Sequence, residues 1–367
     1  MKVNAAVLHV PSEPLRIEEL ELAAPRAGEV LIRLSASGVC RSDLSNARAG
    51  HHLPAPIVLG HEAAGVVTEV GPGVLRCAPG DHVVLSLIAQ CGVCRQCVHG
   101  RPQVCEVGGP AQQAAALLDG ATPLSDGTGR GVHQLFGLGS FAEAVVVPDI
   151  AVVKIDPDID LTVAALLGCG VTTGLGAVFN TAPVVLGDTV VIGGCGGVGM
   201  NVVQGAALAG AQHVIGVEPD EGKWPLARSL GATHTIAPAD LKKVLAGIGG
   251  GRGADVAYDL VGSAETASAL LEALVPGGTL CLIGAKRGAV LELPIVERMI
   301  LRALRVVGCS YGSSLVARDI PRAASALAAG RLDLASLVTS TITLDGVNDA
   351  LAELEAGKGL RSVITYN

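Results

Sequence analysis

The chain has 367 residues, 34 acidic against 26 basic, a formal net charge of -8, half its residues hydrophobic and 2% aromatic. An acidic chain this poor in aromatics has no general attraction for nucleic acid or anionic membranes, and few rings on which bases could stack. The length predicts about two domains with aliphatic cores.

The first twenty residues carry Lys2, Pro11, Glu13, Pro14, Glu18 and Glu19 and no long apolar run, so they do not read as a secretory signal. The ten cysteines are clustered rather than spread as a disulfide framework, which predicts metal binding in a cytoplasmic chain. Residues 1–80 read as β-rich: short apolar runs at 29–34, 57–59 and 65–70, the turn Gly71-Pro72-Gly73, and Pro79-Gly80-Asp81 ahead of 82–87. Strands at that spacing predict a partly closed barrel. Two short motifs interrupt them, Gly38-Val39-Cys40-Arg41-Ser42-Asp43 and Gly60-His61-Glu62. A lone buried Cys or His is usually structural. Together with Cys169, in Gly168-Cys169-Gly170-Val171-Thr172-Thr173-Gly174, they supply two sulfurs and one nitrogen. That donor set leaves a fourth position open, the arrangement of a catalytic zinc.

Cys91, Cys94, Cys97 and Cys105 stand in CxxCxxCx7C spacing. Four thiols this close close a tetrahedral Zn²⁺ site, and no strand–CxxC–helix pattern suggests a redox pair. Residues 107–137, rich in Gly, Ala and Gln, read as a long surface excursion. The uncharged stretch 161–187 is interrupted by Gly, Asn and Pro and reads as buried core, not as a membrane span.

From 171 to 310 the pattern alternates strand and helix, predicting a doubly wound parallel sheet. Its opening unit is an apolar strand, 189–192, then Gly194-Cys195-Gly196-Gly197-Val198-Gly199, a small-residue helix over 201–211, a strand over 213–217 and the acid Glu218. The G-x-G-x-x-G register of Gly194, Gly196 and Gly199 lets the backbone approach a pyrophosphate at a helix N-terminus, and Glu218 suits the ribose hydroxyls. A carboxylate there, followed by Pro219 and Asp220 with no Arg, favours NAD over NADP. Lys223 lies within reach of the adenosine ribose. Later elements read as helices at 223–230, 240–246 and 264–274, strands at 234–236, 254–261 and 279–283, and a turn at Pro276-Gly277-Gly278. Two helices, 320–329 and 347–356, and a last strand at 362–366 close the chain.

With these motifs in this order, and Gly359-Leu360-Arg361-Ser362 near the end, the chain resembles the zinc-dependent medium-chain alcohol dehydrogenases over essentially its whole length. Within them it is most similar to bacterial class I-like and nicotinoprotein-type enzymes. The resemblance implies an α/β architecture. A GroES-like β-barrel catalytic domain is formed by 1–170 and 311–367, and a Rossmann domain by 171–310. It implies two zincs per chain: a catalytic one on Cys40, His61 and Cys169, and a structural one on Cys91, Cys94, Cys97 and Cys105. It makes Arg41 and Arg361 pyrophosphate contacts, Asp43 the carboxylate that orients His61, and Glu62 an acid behind the metal that could exchange onto it. It also implies a homodimer or homotetramer, and segments 290–293 and 305–307 read as strands that could continue a sheet across a two-fold axis.

The chemistry follows. A zinc-held alcohol is acidic near neutral pH, Ser42 stands two residues from a ligand to take its proton, and hydride passes to NAD. The bland reading of Ser42 is a helix cap. Relatives often place a histidine two residues after the Asp; here that position is Ser45, and His51, His52 or water would end the relay. By offset Leu87 and Leu135 line an apolar pocket with few aromatic walls, which suits a hydrophobic primary alcohol. Cys77, Cys195, Cys281 and Cys309 read as buried structural thiols. Two alternatives stand beside this one. A thiol-adduct formaldehyde dehydrogenase or conjugated-aldehyde reductase would need basic residues such as Arg48, Arg130 or Arg287 at its mouth. A non-catalytic cofactor-binding protein would not need an open zinc position.

Overall fold

The computed structural model describes residues 1–49, 53–284 and 286–366. The chain forms two compact units, Met1–Cys169 with Leu315–Asn367, and Gly170–Ser314. The units divide one residue before the first boundary read from the sequence and four residues after the second.

In the first unit, strands β1 (Lys2–Leu8), β2 (Arg16–Leu22), β3 (Glu29–Val39), β4 (Ile57–Val58), β5 (Ala63–Val70), β6 (His82–Leu85), β7 (Leu124–Ser125), β8 (Gly131–Gln134), β9 (Ala144–Pro148) and β10 (Val152–Lys154) follow in chain order. A closed barrel runs β1-β2-β7-β8-β4. Closure removes the free edges that short antiparallel strands would otherwise expose. Leu20, Leu22, Ile57, Leu124, Val132 and Phe141 fill its core. β7 and β8 come from residues 107–137, so that segment is no surface excursion: it supplies two barrel staves and buries Leu117, Leu124 and Val132. Its two strands are two and four residues long, too short to show a period of two.

The second unit is a six-stranded sheet of β11 (Thr189–Gly193), β12 (His213–Val217), β13 (His234–Ile236), β14 (Ala254–Asp259), β15 (Leu274–Leu282) and β16 (Arg305–Gly308). The order is β13-β12-β11-β14-β15-β16 and every pairing is parallel. β11 is buried throughout, which is why it reads as a continuous apolar run rather than an alternating one. Val190, Val191 and Ile192 are fully buried, and each such side chain contributes about 1.5–3 kcal/mol. The Pro276-Gly277-Gly278 turn proves to lie inside β15, where the register slips between Ala254 and Val256 on its neighbour. Residues 290–293 form no strand, whereas β16 is the edge of the sheet.

The tail returns to the first unit through β17 (Val338–Ile342) and β18 (Arg361–Thr365). β18 pairs antiparallel with β3, completing the order β10-β6-β5-β3-β18-β17, with β9 also on β3. Among the described residues no single helix is long and apolar enough to cross a membrane. Within the uncharged stretch, Leu166, Leu167, Val171, Ala177 and Val178 are buried, while Phe179, Val185 and Leu186 are exposed.

Candidate active site

Cys40 directly follows β3 and the helix Arg41–Ala49 begins immediately after it. His61 and Glu62 precede β5, and Cys169 follows a short helical turn at Ala165–Gly168. These connections bring one donor atom each from Cys40, His61 and Cys169 within 4.8 Å of one another, all three residues buried. Asp43 is fully buried and holds this corner together. Its Oδ1 accepts from His61 Nδ1 at 2.9 Å and from the Gly60 amide at 3.0 Å; its Oδ2 accepts from the Cys40 amide at 3.0 Å. The bond to Nδ1 turns His61 Nε2 toward the sulfurs, and that buried nitrogen makes no hydrogen bond among the described residues. An orphaned buried imidazole nitrogen is costly unless something binds it. Two thiols and this nitrogen fit Zn²⁺ with a position to spare.

The electrostatics point the same way. A hydrogen bond from Cys169, with the charges of Arg361 and His61, holds Cys40 well below the ordinary thiol range despite burial. The same shared proton, and burial, push Cys169 up. Burial works against a charged His61, yet the Asp43 carboxylate and the Cys40 thiolate raise it well above its usual value. Two sulfurs and a carboxylate-backed imidazole gathered in a buried corner suit a divalent cation.

Glu62 is fully buried behind the cluster. Burial lifts its carboxyl to about 7, and the Arg361 guanidinium, with Nε 3.2 Å from Oε1, opposes that rise. The pairing of β18 with β3 puts Arg361 there, and its Nη1 donates to the Val39 carbonyl at 3.0 Å. Arg361, expected at a pyrophosphate, is thus buried and occupied on this side by Glu62 and Val39. Arg41 is exposed and donates to the Leu354 carbonyl at 3.1 Å. Ser42 is exposed, with its Oγ 3.9 Å from Cys40 Sγ. Ser45 is exposed too, while His51 and His52 lie outside the described residues.

One residue at this site escaped the sequence reading. Phe136 packs edge-on to the His61 ring, centroids 5.3 Å apart at 78°. It adopts φ +57, rare for a bulky side chain, in the turn Leu135–Gly137. One aromatic ring beside the metal ligands accords with the expectation of few aromatic walls. Leu135, expected in the pocket, is fully buried in the barrel core instead, and Leu87 packs against the other core of this unit. A register one residue off moves a side chain to the opposite face, so an offset argument fails where a turn intervenes.

Cys91, Cys94, Cys97 and Cys105 bring their sulfurs within 4.8 Å of one another. Separations of 3.9 Å for Cys94–Cys105 and 3.6 Å for Cys91–Cys105 straddle the edge of about 3.8 Å that a ZnS₄ tetrahedron with 2.3 Å bonds requires. Backbone amides of Cys97 and Glu106 donate to Cys94 Sγ and draw its thiol down to about 6. Amides of Cys91 and Gly108 donate to Cys105 Sγ and outweigh burial there. These residues could hold a second, closed metal.

In the other unit, Gly194 has φ +98, and a Cβ on Gly199 would collide with the Gly194 carbonyl. Nothing lies within 4 Å of where a Gly196 Cβ would stand, so the turn keeps an open floor at the N-cap of the helix Gly197–Leu208. Gly197 and Val198 open that helix, whose free amides suit an anion. The helix starts four residues ahead of the stretch read from the sequence, because Gly196 caps it. Glu218, buried at the end of β12, accepts from the Cys195 amide at 2.9 Å and the Asp220 amide at 3.1 Å. Lys223 Nζ lies 3.8 Å from Glu218 and 3.5 Å from Asp220. Cys195 is buried, its thiol pushed up to about 12 by burial and by Glu218. Cys77 is only half-buried, contrary to the expectation of a core thiol.

Fold and site together define a zinc-binding dehydrogenase. Residues 26–157 match the alcohol dehydrogenase GroES-like domain family and residues 197–329 the zinc-binding dehydrogenase family. The chain belongs to the zinc-dependent medium-chain alcohol dehydrogenase family. It is 40% identical, over the full length of both chains, to an NDMA-dependent alcohol dehydrogenase of Amycolatopsis methanolica. It is 37% identical, again over both full lengths, to an S-(hydroxymethyl)glutathione dehydrogenase of Escherichia coli O1:K1. The structure of benzyl alcohol dehydrogenase from Acinetobacter calcoaceticus superposes with a TM-score of 0.92 at 29% identity, covering all of both chains. The chain is therefore an oxidoreductase acting on CH–OH groups, with zinc and NAD as cofactors and a small alcohol or aldehyde as substrate.

Proposed function

We propose that this enzyme interconverts a hydrophobic primary alcohol and its aldehyde, using NAD(H), with Ser42 as the proton acceptor. The observation that carries the reading is the buried Cys40–His61–Cys169 cluster with an unpartnered Nε2 and an exposed hydroxyl beside it. Cys40, His61 and Cys169 would hold a zinc whose Lewis acidity would make an alcohol hydroxyl acidic or polarise an aldehyde, and the glycine turn with Glu218 would hold the NAD that exchanges hydride.

The chain's own residues do the rest. Ser42 Oγ takes the hydroxyl proton and, being exposed, passes it to water directly, so no imidazole need end the relay. Asp43 fixes the tautomer and tilt of His61. Glu62 and Arg361 form a buried pair that balances the charge behind the cluster. Phe136 gives the site an apolar edge, and the benzyl alcohol enzyme of the same fold supports an aromatic or long aliphatic substrate. Glu218 receives the adenosine ribose and disfavours a 2′-phosphate. The four-cysteine zinc holds residues 91–105 together without chemistry of its own.

A second reading, a thiol-adduct formaldehyde dehydrogenase, is supported by the Escherichia coli relative. It stands behind the first because Arg48 is paired with Glu355 at 2.5 Å and Arg130 donates to the Ala55 carbonyl. We further propose a cytoplasmic homodimer or homotetramer. Among the described residues β16 has no further strand beside it, and Val290, Ile295, Val296, Ile300 and Leu301 are exposed apolar side chains in the same unit.

The test is zinc content with alcohol-dependent NAD reduction, comparing benzyl alcohol with S-hydroxymethylglutathione. Two zincs per chain and faster turnover of benzyl alcohol support the reading. One zinc per chain removes the catalytic claim, and preference for the thiol adduct installs the second reading. Reduced cofactor that stays with the protein and reoxidises only on adding an external acceptor would make the dinucleotide a retained group.

A further inference from the structure

Two cysteines that the dehydrogenase chemistry does not use stand together in the second unit. Cys281 lies on β15, fully buried, and pairs in register with Val307 of β16. Cys309 follows the end of β16 and has the same parity as Val307, so it lies on the face that carries Cys281. Its amide donates to the Leu282 carbonyl at 2.8 Å, which anchors it beside β15.

Its sulfur has polar neighbours. Thr181 Oγ1 lies 3.3 Å from it and 2.8 Å from Ser313 Oγ, so the two acceptors share one hydroxyl proton. The Gly312 amide and the Cys281 thiol are close enough to favour its charged form. The position of that amide is fixed sterically: Gly312 has φ +67, and a Cβ there would strike the Thr172 carbonyl. Cys309 is only partly buried. These neighbours, Cys281 first, outweigh burial and bring its thiol down to about 7, while the same hydrogen bond and burial push Cys281 far up. A sulfur with polar neighbours and partial exposure is the environment of a reactive thiol, unlike an inert core cysteine.

We propose that Cys309 is a peroxide-reactive thiol and that Cys281 is its resolving partner. The Cys309 thiolate attacks the outer oxygen of a hydroperoxide, forming an S–O bond and breaking O–O. The departing oxygen takes a proton and leaves as water or an alcohol, and Cys309 becomes a sulfenic acid. The Cys281 sulfur then attacks Cys309, forming S–S and breaking S–O, and the hydroxyl takes the Cys281 proton and leaves as water. Two thiols and one peroxide yield one disulfide, one water and one further water or alcohol. The pair sits at the carboxyl ends of β15 and β16, the side of a doubly wound sheet where ligands bind, so the bond ties down the rim that serves the dinucleotide.

The test treats the full zinc-loaded chain with graded hydrogen peroxide, quenches with N-ethylmaleimide and maps the peptides by mass. A linked 281–309 peptide should appear while both zincs remain bound. Cys309→Ser should abolish it. Cys281→Ala should stop at a sulfenic acid that dimedone traps at Cys309. In the unoxidised protein, capture of Cys309 by N-ethylmaleimide should rise with a midpoint near pH 7 rather than about 8.5. Thr181→Val should move that midpoint upward and slow capture at pH 7 by about threefold. The larger thiolate fraction of the wild type is partly offset by weaker intrinsic nucleophilicity. The proposal is overturned if Cys309 stays unmodified until zinc is released, if the midpoint is that of an ordinary thiol, or if peroxide yields no 281–309 link.

Discussion

Replacing Asp43 with Asn probes the corner on which the metal cluster depends. The wild-type carboxylate accepts three hydrogen bonds with two oxygens, from His61 Nδ1, the Gly60 amide and the Cys40 amide. Asparagine has one acceptor oxygen. Turned to keep His61 and Gly60, it sets its own NH₂ against the Cys40 amide. That substitution removes one charge-assisted bond and leaves a buried donor unmatched, a cost of about 1.5–3 kcal/mol. The remaining two bonds lose their charge. Loss of the group that orients a ligating histidine lowers metal affinity by about 10–100-fold. The assay is chelator competition followed by elemental analysis, with the four-cysteine zinc as an internal control in the same molecule. Asp43→Asn should lose one of its two zincs at a chelator concentration at least tenfold lower than the wild type, and keep the other. Identical chelator midpoints for both zincs in the two proteins would refute the argument that Asp43 preorganises His61.

Three other substitutions separate the remaining roles. Ser42→Ala should lower kcat by about 10²–10⁴-fold with both zincs retained, since the hydroxyl moves a proton and holds no metal; an unchanged kcat points to water alone as the acceptor. Glu218→Gln keeps an acceptor for the Cys195 amide but removes the charge that repels a 2′-phosphate. The NAD-to-NADP ratio of kcat/KM should fall by about tenfold or more, and a constant ratio would remove Glu218 from cofactor choice. Cys94→Ser breaks the four-thiol set and should lower the thermal midpoint by several degrees, because structural zinc binding contributes directly to folding. Activity measured on the fraction still folded should change little, and a selective loss of kcat would give that zinc a chemical role.

Local patterns were legible in the chain wherever the physics is local. Four cysteines within fifteen residues can reach one metal whatever surrounds them. A glycine turn between a buried strand and a helix reads directly, because positive φ at Gly194 and the close approach at Gly199 demand glycine. β12 falls at the residues expected, since a parallel strand buried on both faces is an apolar run bounded by turns, and the short edge strand β13 falls at the residues expected as well. The barrel staves β7 and β8 were not legible. Two- and four-residue strands have no period to read, and their pairing with β2 and β4 is set by closure of the barrel.

The site divides along the same line. Donor types and the motifs that carry them are written in the sequence, and with them the family and its chemistry. Which groups surround those donors is decided by long-range pairing. β18 must lie on β3 before Arg361 can face Glu62, and the turn at Leu135–Gly137 must hold Phe136 at positive φ before its ring meets His61. Cys281 and Cys309 look like unremarkable core thiols until parallel strands bring them together with Thr181 and Gly312. The sequence by itself determined what chemistry this protein carries; tertiary structure alone decided which residues tune it, because burial, charge and ring contacts act between residues that the chain keeps far apart.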